Sequence, residues 1–143
     1  MTTSAHEQIR NLLGTYCELM DAGDFDGLGS LLGQARLTDD KGREIARGGP
    51  AITSLWQAMV MLYDGSPRTR HLVTGPVITV EGDAAASRSS FTVLQQVTDG
   101  PLEPIAAGRY RDSFACMDST WHFTERQFLL DQEGDVSRHL RDL

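Results

Sequence analysis

Residues 69–131 constrain the fold more than any other part of the chain. Four strand-like runs, at about 69–81, 84–98, 103–117 and 120–131, are separated only by the turns "EGDA", "TDGP" and "CMDST". Connections this short cannot carry the chain round to a parallel neighbour, so successive strands must pair antiparallel as a meander. Strands this long favour a strongly curved sheet. Gly75 and Pro76 interrupt the first run. Proline cannot donate to a sheet ladder, so a bulge or bend is expected there.

The chain before Pro67 has a different period. Ile9, Leu12, Leu13, Tyr16, Cys17, Leu19 and Met20 fall on one face of a helix over residues 5–22. Ser4 followed by Glu7 reads as a capping box, and Gly23 as the stop signal. Asp24 then caps a short second helix, "FDGLGSLLG". Residues 35–47 alternate weakly around "DDKGRE", which predicts a small hairpin. A third helix starts at "GGPAITSLW" with Pro50 in its first turn, and Ile52, Leu55, Trp56, Met59, Leu62 and Tyr63 form its apolar stripe. The polar tail "DQEGDVSRHLRDL" is expected to be loose or to form a short terminal helix.

Helices first and sheet second define an α+β class. Three helices against one face of a curved sheet enclose a cone with an open end, which is a pocket by construction. The 143 residues fit a single domain, 1–143. A net charge of −7 disfavours a nucleic-acid partner, which would need a basic face. No apolar run is long enough to span a membrane, and the first ten residues lack the basic and apolar regions of a signal peptide, so a cytoplasmic protein is expected. Cys17 and Cys116 lie far apart in the chain and read as two buried free thiols. The four histidines lack metal-ligand spacing, and "GLGSLLG" follows no strand, so neither a metal nor a dinucleotide cofactor is expected.

Three residues could carry chemistry. With Ile9 at zero on a helical wheel, Asp21 falls at about 120°, on the flank of the apolar face, whereas Glu18 falls at about 180°, outside it. Asp21 can therefore look into the fold's edge; an exposed aspartate at a fraying helix end is the plain alternative. His71 shares a strand face with Val73. Beside a carboxylate it would become a general base, and alone it would be structural. Arg126 has the opposite parity to Trp121 on a regular strand, which places the two on opposite faces. An inward arginine needs a carboxylate or an anionic ligand.

The segments "YCELMDAGDFDGL", "RTRHLVTGPVITVEGDAAASRSSFTVLQQ" and "AAGRYRDSF…WHFTER" resemble a SnoaL-like domain of the nuclear transport factor two-like superfamily, over nearly the whole chain. The resemblance implies a cone-shaped α+β barrel with a pocket at its wide end. Scytalone dehydratase and hexachlorocyclohexane dehydrochlorinase are catalytic relatives by pattern. Their helix-end aspartate and strand histidine imply a proton-abstracting dyad of Asp21 and His71. The dehydrochlorinase arginine that assists the leaving group falls at Arg126, and its lysine is replaced here by Tyr16. Tyr16, Trp56, Met59, Phe91 and Tyr110 are expected to wall the pocket or fill the core beneath it. The implied activity is cofactor-free dehydration, elimination or isomerisation of a small apolar substrate, cyclic ones included. The alternative is a non-catalytic ligand-binding or accessory domain. A homo-oligomer, dimer or trimer, is implied by the same resemblance.

Overall fold

The structure, a computed structural model, describes residues 3–141. Helix α1 runs Ala5–Ala22, α2 Phe25–Leu31 and α3 Gly49–Met59. The strands are β1 Arg36–Thr38, β2 Glu44–Arg47, β3 Thr69–Glu81, β4 Ala84–Gln95, β5 Glu103–Met117 and β6 Thr120–Glu133. The Ser4 hydroxyl accepts the Glu7 N–H at 3.2 Å, and Gly23 turns into the left-handed region to end α1. The Asp24 carboxylate caps α2 by accepting the Gly27 N–H at 2.8 Å.

The six strands form one sheet in the order β2-β1-β6-β5-β4-β3. The last four make the antiparallel meander. The β1–β2 hairpin extends it through a parallel contact between β1 and β6, so the sheet is mixed. It does not close: β2 and β3 are free edges, and the barrel expected from the family resemblance is an open, curved sheet. In β3, Thr74 pairs with Ser90 and Val77 with Arg88, so Gly75 and Pro76 together face one residue and form the expected bulge.

The concave face carries the core. Strand β4 alternates strictly, with Ala85, Ser87, Ser89, Phe91, Val93 and Gln95 turned inward. Ile9, Leu13, Tyr16 and Met20 of α1 meet them. Gly108 of β5 is required by close approach: a Cβ there would stand 2.1 Å from the Leu129 carbonyl oxygen and 2.9 Å from the Phe91 ring. Its absence lets Phe91 stack on Tyr110, with ring centroids 4.5 Å apart.

Three expectations change. Helix α3 stops at Met59, so Leu62 and Tyr63 fall outside it. The chain extends there because Val60 pairs with Leu140 from the other end of the sequence. The tail is neither loose nor a terminal helix; a single turn brings residues 136–140 back across the end of α3, with its last two residues, 142 and 143, outside the described range. Cys17 is buried as expected, but Cys116 is partly exposed; both are free. No helix among the described residues is long and apolar enough to cross a membrane.

Candidate active site

The end of α1 delivers Asp21 to the start of β3. Its carboxylate accepts three hydrogen bonds from that strand: from the Thr69 hydroxyl at 2.9 Å, from the His71 backbone N–H at 2.8 Å, and from His71 Nδ1 at 2.6 Å. Burial works to raise the Asp21 carboxyl, but the bonds from His71 and Thr69 outweigh it and hold the group below the usual carboxylate range. The carboxylate is therefore charged and can only accept. That fixes the proton on Nδ1 and leaves the lone pair of a neutral His71 on Nε2. Both side chains are largely enclosed, 7% exposed for His71 and 14% for Asp21.

Two concavities meet at His71, and Asp21 borders only the outer one. One is a wide groove on the outside, bordered by Glu18, Arg68, Arg70 and Gln96. The other is an enclosed cavity of about 270 Å³ inside the cone, with a lining that is almost wholly apolar. The inner cavity has the physical character of a small-ligand site, because an apolar enclosure excludes water and strengthens every polar contact within it. Tyr16, Trp56, Met59, Phe91 and Tyr110 all line it. Ile45 and Leu130 also line it and are about half exposed, which places them at its rim.

Arg126 is buried beside a carboxylate, as expected, but it shares a face with Trp121 and stands behind the cavity wall. Ser113 pairs with Glu125 while Phe114 pairs with Phe123, so Thr124 is an extra residue in β6. This bulge reverses the parity and turns Arg126 inward with Trp121 and Phe123. The guanidinium then meets the fully buried Asp112 carboxylate as a two-pronged pair, Nε at 2.8 Å and Nη2 at 3.1 Å. Burial raises the Asp112 carboxyl by more than the Arg126 guanidinium pulls it back. The rings of Tyr110 and Tyr16 cover the guanidinium, with centroids 3.6 and 4.3 Å from Cζ. Arg126 thus stands behind the cavity wall and is not among the residues lining it. Burial, more than Arg126 can offset, pushes the Tyr16 hydroxyl far up, and burial likewise raises Tyr110. Both stay neutral and able to donate.

His139 was not anticipated from the sequence. It lies 7% exposed in the C-terminal turn, lines the cavity with Val136 and Leu140, and its ring centroid is 6.2 Å from that of His71. The spacing Val136, His139, Leu140 is one helical turn of contacts in an otherwise polar tail, and it was the available signal.

The family model for SnoaL-like domains matches residues 1–127. The chain is a SnoaL-like domain. No curated protein matches it. Among solved structures, it is similar to Rv3472, a protein of unknown function from Mycobacterium tuberculosis, at 26% identity and TM-score 0.72, over 87% of this chain and 70% of that one. An NTF2-like protein with a cystatin-like fold from Novosphingobium aromaticivorans shares 24% identity with the SnoaL-like domain at TM-score 0.73, over 93% and 86% of the two chains. A scytalone dehydratase candidate from the same organism aligns at TM-score 0.69 and 16% identity, over 96% and 95%, a likeness of fold alone.

Proposed function

We propose that this SnoaL-like domain removes a proton from a small, largely apolar substrate held in the inner cavity, in a cofactor-free dehydration, elimination or isomerisation. The observation that supports this is His71, hydrogen-bonded to Asp21 and set in the wall of an apolar cavity. His71 Nε2 takes the proton from carbon, and the C–H electron pair passes into a new double bond. Either a leaving group departs, or a proton returns at another carbon. The imidazolium that forms is balanced through Nδ1–H by Asp21. The neutral hydroxyls of Tyr16 and Tyr110 are the wall donors suited to a developing oxyanion or a departing oxygen. Arg126 acts at one remove, by fixing the two tyrosine rings.

Incubation with small cyclic hydroxy ketones, followed by mass spectrometry for loss of water, tests this reading. His71→Ala should then lower turnover by about 10² to 10⁴. Binding throughout such a panel with no turnover by the wild type would leave a ligand-binding domain and refute the enzyme. Cytoplasmic residence is proposed from the sequence reading alone, and a homo-oligomer from the family resemblance; sedimentation reads the latter.

A further inference from the structure

The backbone of the C-terminal turn is pinned at almost every polar group. His139 N–H donates to the Val136 carbonyl at 3.0 Å, and its own carbonyl accepts Met61 N–H at 2.8 Å. Arg141 N–H reaches the Met59 carbonyl at 2.8 Å, and the Arg141 guanidinium covers the carbonyls of Ala58 and Val60 at the end of α3. The Tyr63 hydroxyl and the Gln95 amide both donate to the Arg138 carbonyl, at 2.5 and 3.1 Å. None of these bonds uses the His139 imidazole. Its Nδ1 is buried with no hydrogen-bond partner among the described residues.

A buried, unpartnered polar atom costs roughly 1–3 kcal/mol, and in a folded protein it calls for a reason. Here a set of well-made bonds holds in place a ring that makes none itself. The ring lines the same cavity as His71, on its own element, edge to face with it at a 6.2 Å centroid separation. We infer that His139 is a second ligand-contacting residue, whose imidazole turns so that a nitrogen meets a hydroxyl or carbonyl oxygen of the bound molecule beside His71. The assignment rests on the reading of the inner cavity as a ligand site. Burial first, and the neighbouring His71 second, lower His139 to about 4, against a smaller opposite pull from Asp21. The ring is therefore neutral near pH 7, with one donor and one acceptor nitrogen, which suits an uncharged oxygen. The ligand class that follows is a compact apolar body carrying one uncharged oxygen.

Two probes isolate this contact: 1-tetralone and tetralin, which differ at a single carbon, a carbonyl in one and a methylene in the other. Calorimetric Kd values for both are measured on the wild type and on His139→Phe, Trp56→Phe and His71→Phe. In His139→Phe the preference for the ketone should fall by roughly fivefold relative to the wild type, the worth of one hydrogen bond. The other two variants report whether one of those wall residues makes the contact instead. Trp56→Phe is included because the Trp56 Nε1 atom is also buried without a partner in this wall. A second readout does not depend on a variant folding: ring ¹⁵N signals of wild-type His139 should move with 1-tetralone and not with tetralin. If both probes bind and neither the ratio nor the His139 signals respond, the inference fails and the cavity reading stands. A loss of preference confined to Trp56→Phe or His71→Phe assigns the contact elsewhere and also overturns it. If the wild type binds neither probe, the cavity reading fails and the inference with it.

Discussion

Acidification from pH 7.5 to 4.5 should remove stability through His139, and the size of the loss follows from where the ring sits. The folded protein holds this imidazole at about 4, down from an ordinary 6.5, because it is buried and faces His71. Between those two values the unfolded chain binds a proton that the folded chain refuses, so stability rises with pH there. The contribution is whole above about 6.5 and is lost as the pH falls toward 4. At about 1.4 kcal/mol per pKa unit, with the last half-unit above the folded value only partly spent, the loss by pH 4.5 is about 2.5 kcal/mol. Escape of the turn 136–140 into water makes this an upper bound. Asp21 does not confuse the window. Its folded carboxyl lies below the usual range, so its contribution persists above the unfolded value of about 3.9 and is lost only at lower pH. The assay is equilibrium urea unfolding at several pH values for the wild type and for His139→Gln, whose amide does not titrate. Groups common to both cancel in the difference. The variant should gain on the wild type as the pH falls, by up to about 2.5 kcal/mol. Parallel curves would show that His139 is solvated or protonated in the fold, and would refute the reasoning.

Other perturbations test separate parts. Asp21→Asn keeps the shape of the pair but removes the counter-charge and unfixes the imidazole tautomer, so any turnover found should fall by about 10² or more with little change in melting temperature. Arg126→Met leaves the Asp112 carboxylate buried and alone, which should cost about 3–5 kcal/mol in urea unfolding; the joint Arg126→Met, Asp112→Leu variant should recover much of it. Gly108→Ala drives a methyl group against the Leu129 carbonyl and the Phe91 ring and should destabilise by about 1–3 kcal/mol, with the near-ultraviolet signal of the Phe91–Tyr110 stack altered. Arg141→Ala uncaps the end of α3 and should raise amide hydrogen exchange at Met61, whose N–H is bonded to the turn that Arg141 anchors.

The fold was legible where local chemistry decides it. Ser4, Gly23 and Asp24 mark their helix ends by side-chain and backbone rules, and the short turns leave the meander no other pairing. Asp21 and His71 were legible because each sits two positions from a local signal, the helix stop at Gly23 and the strand start at Thr69. The burial of Arg126 against a carboxylate was legible, because an inward arginine needs one; its sharing a face with Trp121 was not, because a bulge at Thr124 leaves no mark in a run of strand-forming residues. The end of α3 and the place of His139 depend on one event, the pairing of Val60 with Leu140 across eighty residues of chain. No periodicity within either segment encodes a contact that both must supply. The free sheet edges have the same origin: whether six strands close depends on tilt and length across the whole sheet, which single-strand patterns do not carry.

The central claim is that His71, oriented by Asp21, accepts a proton from carbon inside the apolar cavity. Exchange of the protons at C2 of 1-tetralone for deuterium, followed by ¹H NMR in D₂O, reads that step without knowledge of the natural substrate. The wild type should speed exchange well above the buffer rate, Asp21→Asn should be slower, and His71→Ala should lose about 10² to 10⁴ of the acceleration. Exchange at the buffer rate with the ketone bound, or an unaltered rate in His71→Ala, would contradict the claim.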